Sequence, residues 1–297
     1  MRFVGYLMVE VLLVLVMLGY FTLLERKLLG YGQLRKGPNK AVLWGLLQPM
    51  LDGVKLFMKG FWGQSVGGLL NMWIFPGVGL FLVLGLWVFV GVFWGGFGLG
   101  YVLFYVILFS SFVGVSFFVS GYLTGGKYSM IGSVRNLAQV ISYEGVMVVG
   151  LLVVMVYSGS SGALLSLTPL LGGVLVLFLV VAIVMESNRT PVDFVEGESE
   201  LVSGLATEMG GVSFSLLFLM EYGVMSFYSV LLSVVVWGSS GSGFMVMLSA
   251  VVMVTFLALL RLSLPRSRYD LNMLWGWKIS LVSVFLWFLL GFVLMTG

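Results

Sequence analysis

The chemistry this sequence offers lies in carboxylates placed where they are costly. Glu186, Asp193, Glu196, Glu198 and Glu200 fall in one short stretch with a single cation, Arg189. Glu208 and Glu221 carry the series into an apolar run, and at 1.5 Å rise per residue Glu221 lies roughly 20 Å further along a helix axis than Glu208. Glu144, preceded by Arg135 and Gln139, stands in another apolar run, about seven residues or roughly 10 Å from its polar end. Desolvation disfavours a charged carboxylate and a nearby guanidinium favours it, so a row of acids with mixed neighbours can take up and release protons. Two roles are open to such a row: a proton route, or polar glue between helices. An acidic run in a soluble protein is usually a solvated loop, but here apolar segments adjoin both ends.

Composition removes most other chemistries. The chain has 297 residues, with no Cys and no His, so the usual ligands of iron-sulfur clusters, haem and structural zinc are missing. Disulfides and a Cys or His nucleophilic relay are excluded for the same reason. Hydrophobic residues make up 60% and charged residues 9%, against about 25% charged in an ordinary soluble domain, so a soluble core could not absorb this apolar surface. The net charge of +3 comes from cations spread over several loops, which is not a nucleic-acid patch.

The elements that must position the acids are apolar runs near 3–24, 69–94, 99–124, 137–158, 168–185, 210–237, 244–264 and 277–296, each close to the roughly 20 residues a bilayer crossing requires. The expected fold is therefore an all-α membrane protein of about eight transmembrane helices, a single polytopic domain over 1–297. With the first run starting at the N-terminus and lacking an Ala-x-Ala-like cleavage site, it is expected to be a retained helix. Nearly all cations lie in or beside the loops after the first, third, fifth and seventh crossings, leaving Arg2 on the other face. The positive-inside rule puts those loops inside and both termini outside. Glu10, in the first crossing, is expected near the outer interface or paired locally. Within the first inner loop, at about 45–60, Gln48, Asp52, Lys55 and Lys59 share one helical face while Leu47, Met50, Leu51, Val54 and Met58 share the other. Pro49 could open that helix, and its amphipathic pattern suits either the membrane surface or a site under a partner. The acidic inner loop spans about 186–208. No fixed-period repeat or inverted half is evident.

These loops resemble a known family. Glu25-Arg26-Lys27, Leu29-Gly30, Gln33, Arg35, Gly37-Pro38-Asn39, Gly45 to Pro49, Asp52-Gly53 and Lys55-Leu56 are similar, in order and spacing, to the first inner loop of NADH dehydrogenase chain 1. Lys127-Tyr128-Ser129, Arg135, Ala138-Gln139 and Ile141 to Glu144 resemble its next block. Glu186, Asn188-Arg189, Pro191, Asp193 and the run from Glu196 to Gly204 are the strongest match, and Glu221-Tyr222, Arg261, Pro265-Arg266 and Arg268-Tyr269-Asp270 complete it. The likeness covers the whole chain. Ser187, Gly60 and the residues around Glu208 (Leu205-Ala206-Thr207 and Met209) depart from the family pattern.

The resemblance implies a membrane subunit of NADH:ubiquinone oxidoreductase, respiratory complex I, that forms part of the quinone cavity and couples quinone reduction to proton translocation. It implies that Arg26, Asp52, Gln33, Arg35 and Lys55 line the cavity and its entrance. Glu144, Glu186, Asp193, Glu196, Glu198, Glu200, Glu208 and Glu221 would form the proton path, with Arg135, Arg189, Arg266 and Arg268 balancing charge. Ubiquinone would be the substrate, while NADH, FMN and iron-sulfur clusters would belong to partner subunits of the peripheral arm; small membrane-arm subunits and lipids are further expected partners. The implied location is the mitochondrial inner membrane, with both termini in the intermembrane space, or alternatively a bacterial plasma membrane. Rival functions are a quinone-independent subunit of a related hydrogenase-type complex, a stand-alone proton-coupled transporter and a structural anchor.

Overall fold

A computed structural model describes residues 2–40, 42–59, 69–94, 99–158, 169–193, 204, 209–237 and 243–296. Every regular element among them is helical: α1 (Arg2–Gly32), α2 (Val42–Gly45), α3 (Gln48–Met58), α4 (Leu69–Trp94), α5 (Leu99–Leu123), α6 (Lys127–Ser158), α7 (Pro169–Glu186), α8 (Val212–Trp237), α9 (Gly243–Ser263), α10 (Tyr269–Trp275), a π-helical turn (Gly276–Ser280) and α11 (Leu281–Thr296). By length and composition, six described helices can cross a membrane, and the apolar segments Trp73–Val88 of α4 and Gly173–Glu186 of α7 occupy the two remaining runs. Outward faces bear Leu13, Phe81, Phe104, Leu177 and Met247, all exposed. That arrangement suits helices whose solvent is hydrocarbon, since within each helix the backbone satisfies its own polar groups.

Three helices run past the ends that hydropathy assigns. α1 continues through the polar segment to Gly32, α6 starts at Lys127 and not near 137, and the last crossing starts at Tyr269 and not near 277. Hydropathy marks the edge of the hydrocarbon, whereas an α-helix persists while its backbone bonds and one packed face continue. Glu144 therefore has a longer stretch of helix before it than of apolar run. It lies 17 residues into α6, roughly 26 Å from the true start of the helix.

α8 is the axis of the bundle. It packs on α1, α3, α4, α7 and α9, and side chains from Ser213 to Val235 are buried around most of its circumference. α4, α5 and α6 follow one another in contact, and α6 also meets α7 and α11. Close approach of α4 to α8 depends on two glycines. A Cβ on Gly79 would run into Met220 and Ser116, and one on Gly223 into Val83. Small residues at such crossings let backbones come together where lipid supplies no hydrophobic drive between helices.

α3 lies within the expected span, with Pro49 in its first turn and no buried residue. Met50, Leu51, Val54, Phe57 and Met58 form its exposed apolar side. It contacts α1 and α8.

Candidate functional site: a buried row of paired charges

α7 ends at Glu186, and Ser187 extends its hydrogen bonding by one residue, its N–H donating to the Ile183 carbonyl at 2.9 Å. Asn188 then takes a left-handed φ of 52°, a conformation Asn tolerates better than most residues. This turn presents Arg189 to α8. The Arg189 guanidinium sits 2.7 Å from the Glu221 carboxylate, with both side chains buried. It also lies over two rings, 5.0 Å from the Phe218 centroid and 4.5 Å from that of Tyr222. Phe218 and Tyr222 are one turn apart on α8 with Glu221 between them, so one helical face supplies both the anion and the π surfaces.

The Tyr222 hydroxyl donates at 2.5 Å to Glu25 of α1, and the other Glu25 oxygen accepts from Arg261 of α9. Four elements are thereby joined through one line of groups: Arg261, Glu25, Tyr222, Arg189, Glu221. The Arg189–Glu221 pair is buried on both sides, whereas in the second pair Glu25 is buried and Arg261 is part-exposed; a charge that has lost its water depends on such a partner.

A second limb begins across a small cavity. Glu186, Asn188, Glu221 and Tyr228 line it together with Gly114, Phe117 and Val140. Its volume is about 20 Å³, where one water needs roughly 10–15 Å³. Tyr228 interacts through its hydroxyl with Glu186 and with Ser110, Glu144 interacts with Ser111, and Glu186 lies within electrostatic reach of Glu144. On the other side of Ser187 and Arg189, a cavity of about 10 Å³ is lined by Glu25, Thr190 and Arg261.

The expected site residues fall into three groups. Glu144, Glu186, Arg189 and Glu221 converge on the buried row. Asp193 is buried at its edge, 4.0 Å from Arg266. Glu196, Glu198, Glu200 and Glu208 lie outside the described residues. At the surface, Arg26 of α1 pairs with Asp52 of α3 at 2.6 Å, and Gln48 donates to the same carboxylate at 2.8 Å. Arg35 donates to Gln33 at 3.0 Å, and Lys55 is exposed. Arg268 pairs with Asp270 at 3.2 Å on the surface, and Arg135 stands over the Tyr269 ring at 5.9 Å.

Glu25, Tyr222, Tyr228 and Arg261 were not expected as members of the row. Glu25 carried a signal: Val14, Leu18, Phe21 and Glu25 recur at heptad-like spacing, and all four are buried on one face of α1. Its neighbour Arg26 points to Asp52 at the surface. One residue step on α1 therefore separates the surface pair from the buried row. Arg261 and the tyrosines gave no comparable signal, since their roles arise only from helices meeting in space.

No group of three or more Asp or Glu side chains suited to a metal ion occurs among the described residues. What fold and site define is a polytopic, all-α membrane protein with an ionisable interior and a charged pair at one surface. The sequence profile of the NADH dehydrogenase family matches residues 4–292. NADH-ubiquinone oxidoreductase chain 1 of Heterololigo bleekeri is 41% identical over 285 residues, covering 91% of this chain and 90% of the relative. The chain 1 protein of Artemia franciscana is also 41% identical, over 298 residues and 96% of each chain, and that of Locusta migratoria is 34% identical over 99% and 96%. The chain belongs to the NADH dehydrogenase family.

Proposed function

We propose that this chain is the membrane subunit of NADH:ubiquinone oxidoreductase that forms part of the quinone cavity and links quinone reduction to proton translocation. The relatives' shared name supports the complex and the substrate. The observation that carries the coupling role is the succession of ionisable groups from Glu25, beside Arg26, through Tyr222, Arg189 and Glu221, and across one small cavity to Glu186, Tyr228 and Glu144.

Reduction of a quinone to quinol takes two electrons and two protons. The electrons come from partner subunits, where NADH is oxidised through FMN and iron-sulfur clusters, because this chain lacks Cys and His ligands. At the mouth, the exposed apolar side of α3 offers a lipid-soluble quinone a path from the bilayer. Arg26 supplies positive charge where negative charge develops, and Asp52 holds it in place until then. When Arg26 shifts from Asp52 toward the reduced head group, the field at Glu25 changes. Glu25 then redistributes between Tyr222 and Arg261, and Arg189 between its two rings and Glu221. A carboxylate whose guanidinium moves away changes its proton affinity. Glu221 thus exchanges a proton with Glu186 across the cavity, and Glu186 with Glu144. By the resemblance, Asp193, Glu196, Glu198, Glu200 and Glu208 belong to the same route. Arg26, Arg189, Arg261 and Arg266 gather at one end of the bundle, which supports placing it on the matrix side of the mitochondrial inner membrane with both termini opposite.

The test is Glu144→Gln and Glu221→Gln, alone and together, in the assembled complex reconstituted into liposomes. The expected result is a lower proton-to-electron ratio or slower coupled turnover. Wild-type values for both quantities in the double variant remove the proposal.

A further inference from the structure

Two buried polar ladders, one along α5 and one along α6, meet at the turn that joins these helices, and neither belongs to the acid row. Ser116 and Ser120 on α5 and Thr124 just past its end follow at every fourth residue; on α6, Ser129, Ser133 and Asn136 keep helical spacing of four and three. All six are buried. The Thr124 and Ser129 hydroxyls meet across the turn between the helices. Each hydroxyl donates within its own helix or turn, as Ser133 does to the Met130 carbonyl at 2.8 Å and Ser120 to Phe117 at 2.7 Å. Serine and threonine in such a contact commonly act only as interhelical glue.

Asn136 is what glue does not explain. Its exposure is 0%, and among the described residues neither its amide nitrogen nor its amide oxygen has a hydrogen-bond partner. One turn further, the Gln139 amide donates to the Met185 carbonyl while its oxygen is unpartnered, and the next orphaned oxygens belong to Asn188 and Glu186. Val140, four residues after Asn136, lines the cavity that Glu186 and Glu221 share. Buried amides are nearly always satisfied, and where protein groups do not serve, internal water does. The ladders begin at the 124–129 turn, at the same end of the bundle as the two loops carrying Arg189 and Arg266. At their other end Ser116 contacts Met220, the neighbour of Glu221.

We infer that Asn136 seats bound water, and that the α5/α6 ladders form a proton inlet running from the surface at 124–129 to the Glu186 cavity without passing Arg26 and Asp52. The ligand class is water carrying an excess proton. Asn136 is a positioning residue: its amide donates to one water and accepts from another, fixing the chain that the hydroxyls continue. This rests on the proton-route proposal for the acid row, and it adds a supply branch that the quinone-side residues do not control.

The test uses Asn136→Leu, which removes the amide at similar volume, and Asn136→Ser, which keeps a polar group, both in the assembled complex in liposomes. Expected for the leucine variant are a several-fold slower coupled turnover and a larger solvent deuterium effect, with the quinone KM unchanged; the serine variant recovers most of the rate. Wild-type turnover and deuterium effect in the leucine variant overturn the inlet, and greater thermal stability beside that wild-type rate would mark an amide that had merely been orphaned. If Glu144→Gln and Glu221→Gln impair pumping while Asn136→Leu does not, the inlet alone fails; if all are inert, the proton-route proposal fails with it. Should the leucine variant not assemble, the wild-type complex decides at high resolution. Ordered water bonded to both amide atoms of Asn136 supports the inlet, and an amide bonded only to protein groups refutes it.

Discussion

Replacing Arg189 by Met removes a cation and leaves a comparably sized apolar side chain between Phe218 and Tyr222. Glu221, at 4% exposure, then has no guanidinium at 2.7 Å. Removing one partner of a buried ion pair costs about 3–5 kcal/mol, because the remaining charge has neither water nor counter-ion. The two ring contacts, each worth roughly 0.5–2 kcal/mol, are lost in the same substitution and are contained within that range. If the pair is broken in the transition state for unfolding, 3 kcal/mol shortens the half-life of thermal inactivation by roughly 10²-fold. The assay is that half-life for the assembled complex in mild detergent, across a double-mutant cycle of Arg189→Met and Glu221→Gln. Since the neutral amide no longer needs a cation, the double variant should recover at least half of the loss. A single-variant effect below about 1 kcal/mol, the size of an exposed pair, would refute the reasoning, as would a double variant that is additively worse.

Further expectations follow from the same geometry. Gly223→Val places side-chain atoms against Val83, and an assembled yield equal to wild type would contradict the close α4–α8 contact. Asp52→Asn breaks an exposed pair and should change stability by no more than about 1 kcal/mol, while raising the quinone KM; steady-state titration with a soluble quinone checks both halves. Glu25→Gln should destabilise the complex by about 1–3 kcal/mol, less than a fully buried pair because Arg261 is part-exposed, and Arg261→Met in the same chain should restore part of it. Equal half-lives for Glu25→Gln and wild type would show that this pair is not formed in the complex.

Why some features were legible in the sequence and others were not is a matter of range. The crossings are readable because each is a continuous apolar run against a sparse background of charge. α3 is readable because Asp52 and Lys55 share one helical side and Met50 and Val54 another. Helix ends were misplaced at Lys127 and Tyr269 because polar residues there pack against neighbouring helices instead of forming loops: Ser129, Ser133 and Asn272 are buried. Among the acids, the unusual positions of Glu186, Glu221 and Glu144 are visible as charges in or beside apolar runs. Their partners are not. Arg189 could be paired with several carboxylates by sequence, and only the turn at Asn188 selects Glu221. Tyr222 and Arg261 enter because α1, α8 and α9 meet at Glu25, a contact with no local signature.

Quinone reduction is expected to change protonation within the buried row. Reduction-induced infrared difference spectra of the assembled complex, wild type against Glu221→Gln, test it most directly. A carboxyl band should appear or disappear on reduction in the wild type and be lost or shifted in the variant. Identical difference spectra, with every carboxyl change retained after Glu221 is neutralised, would contradict it.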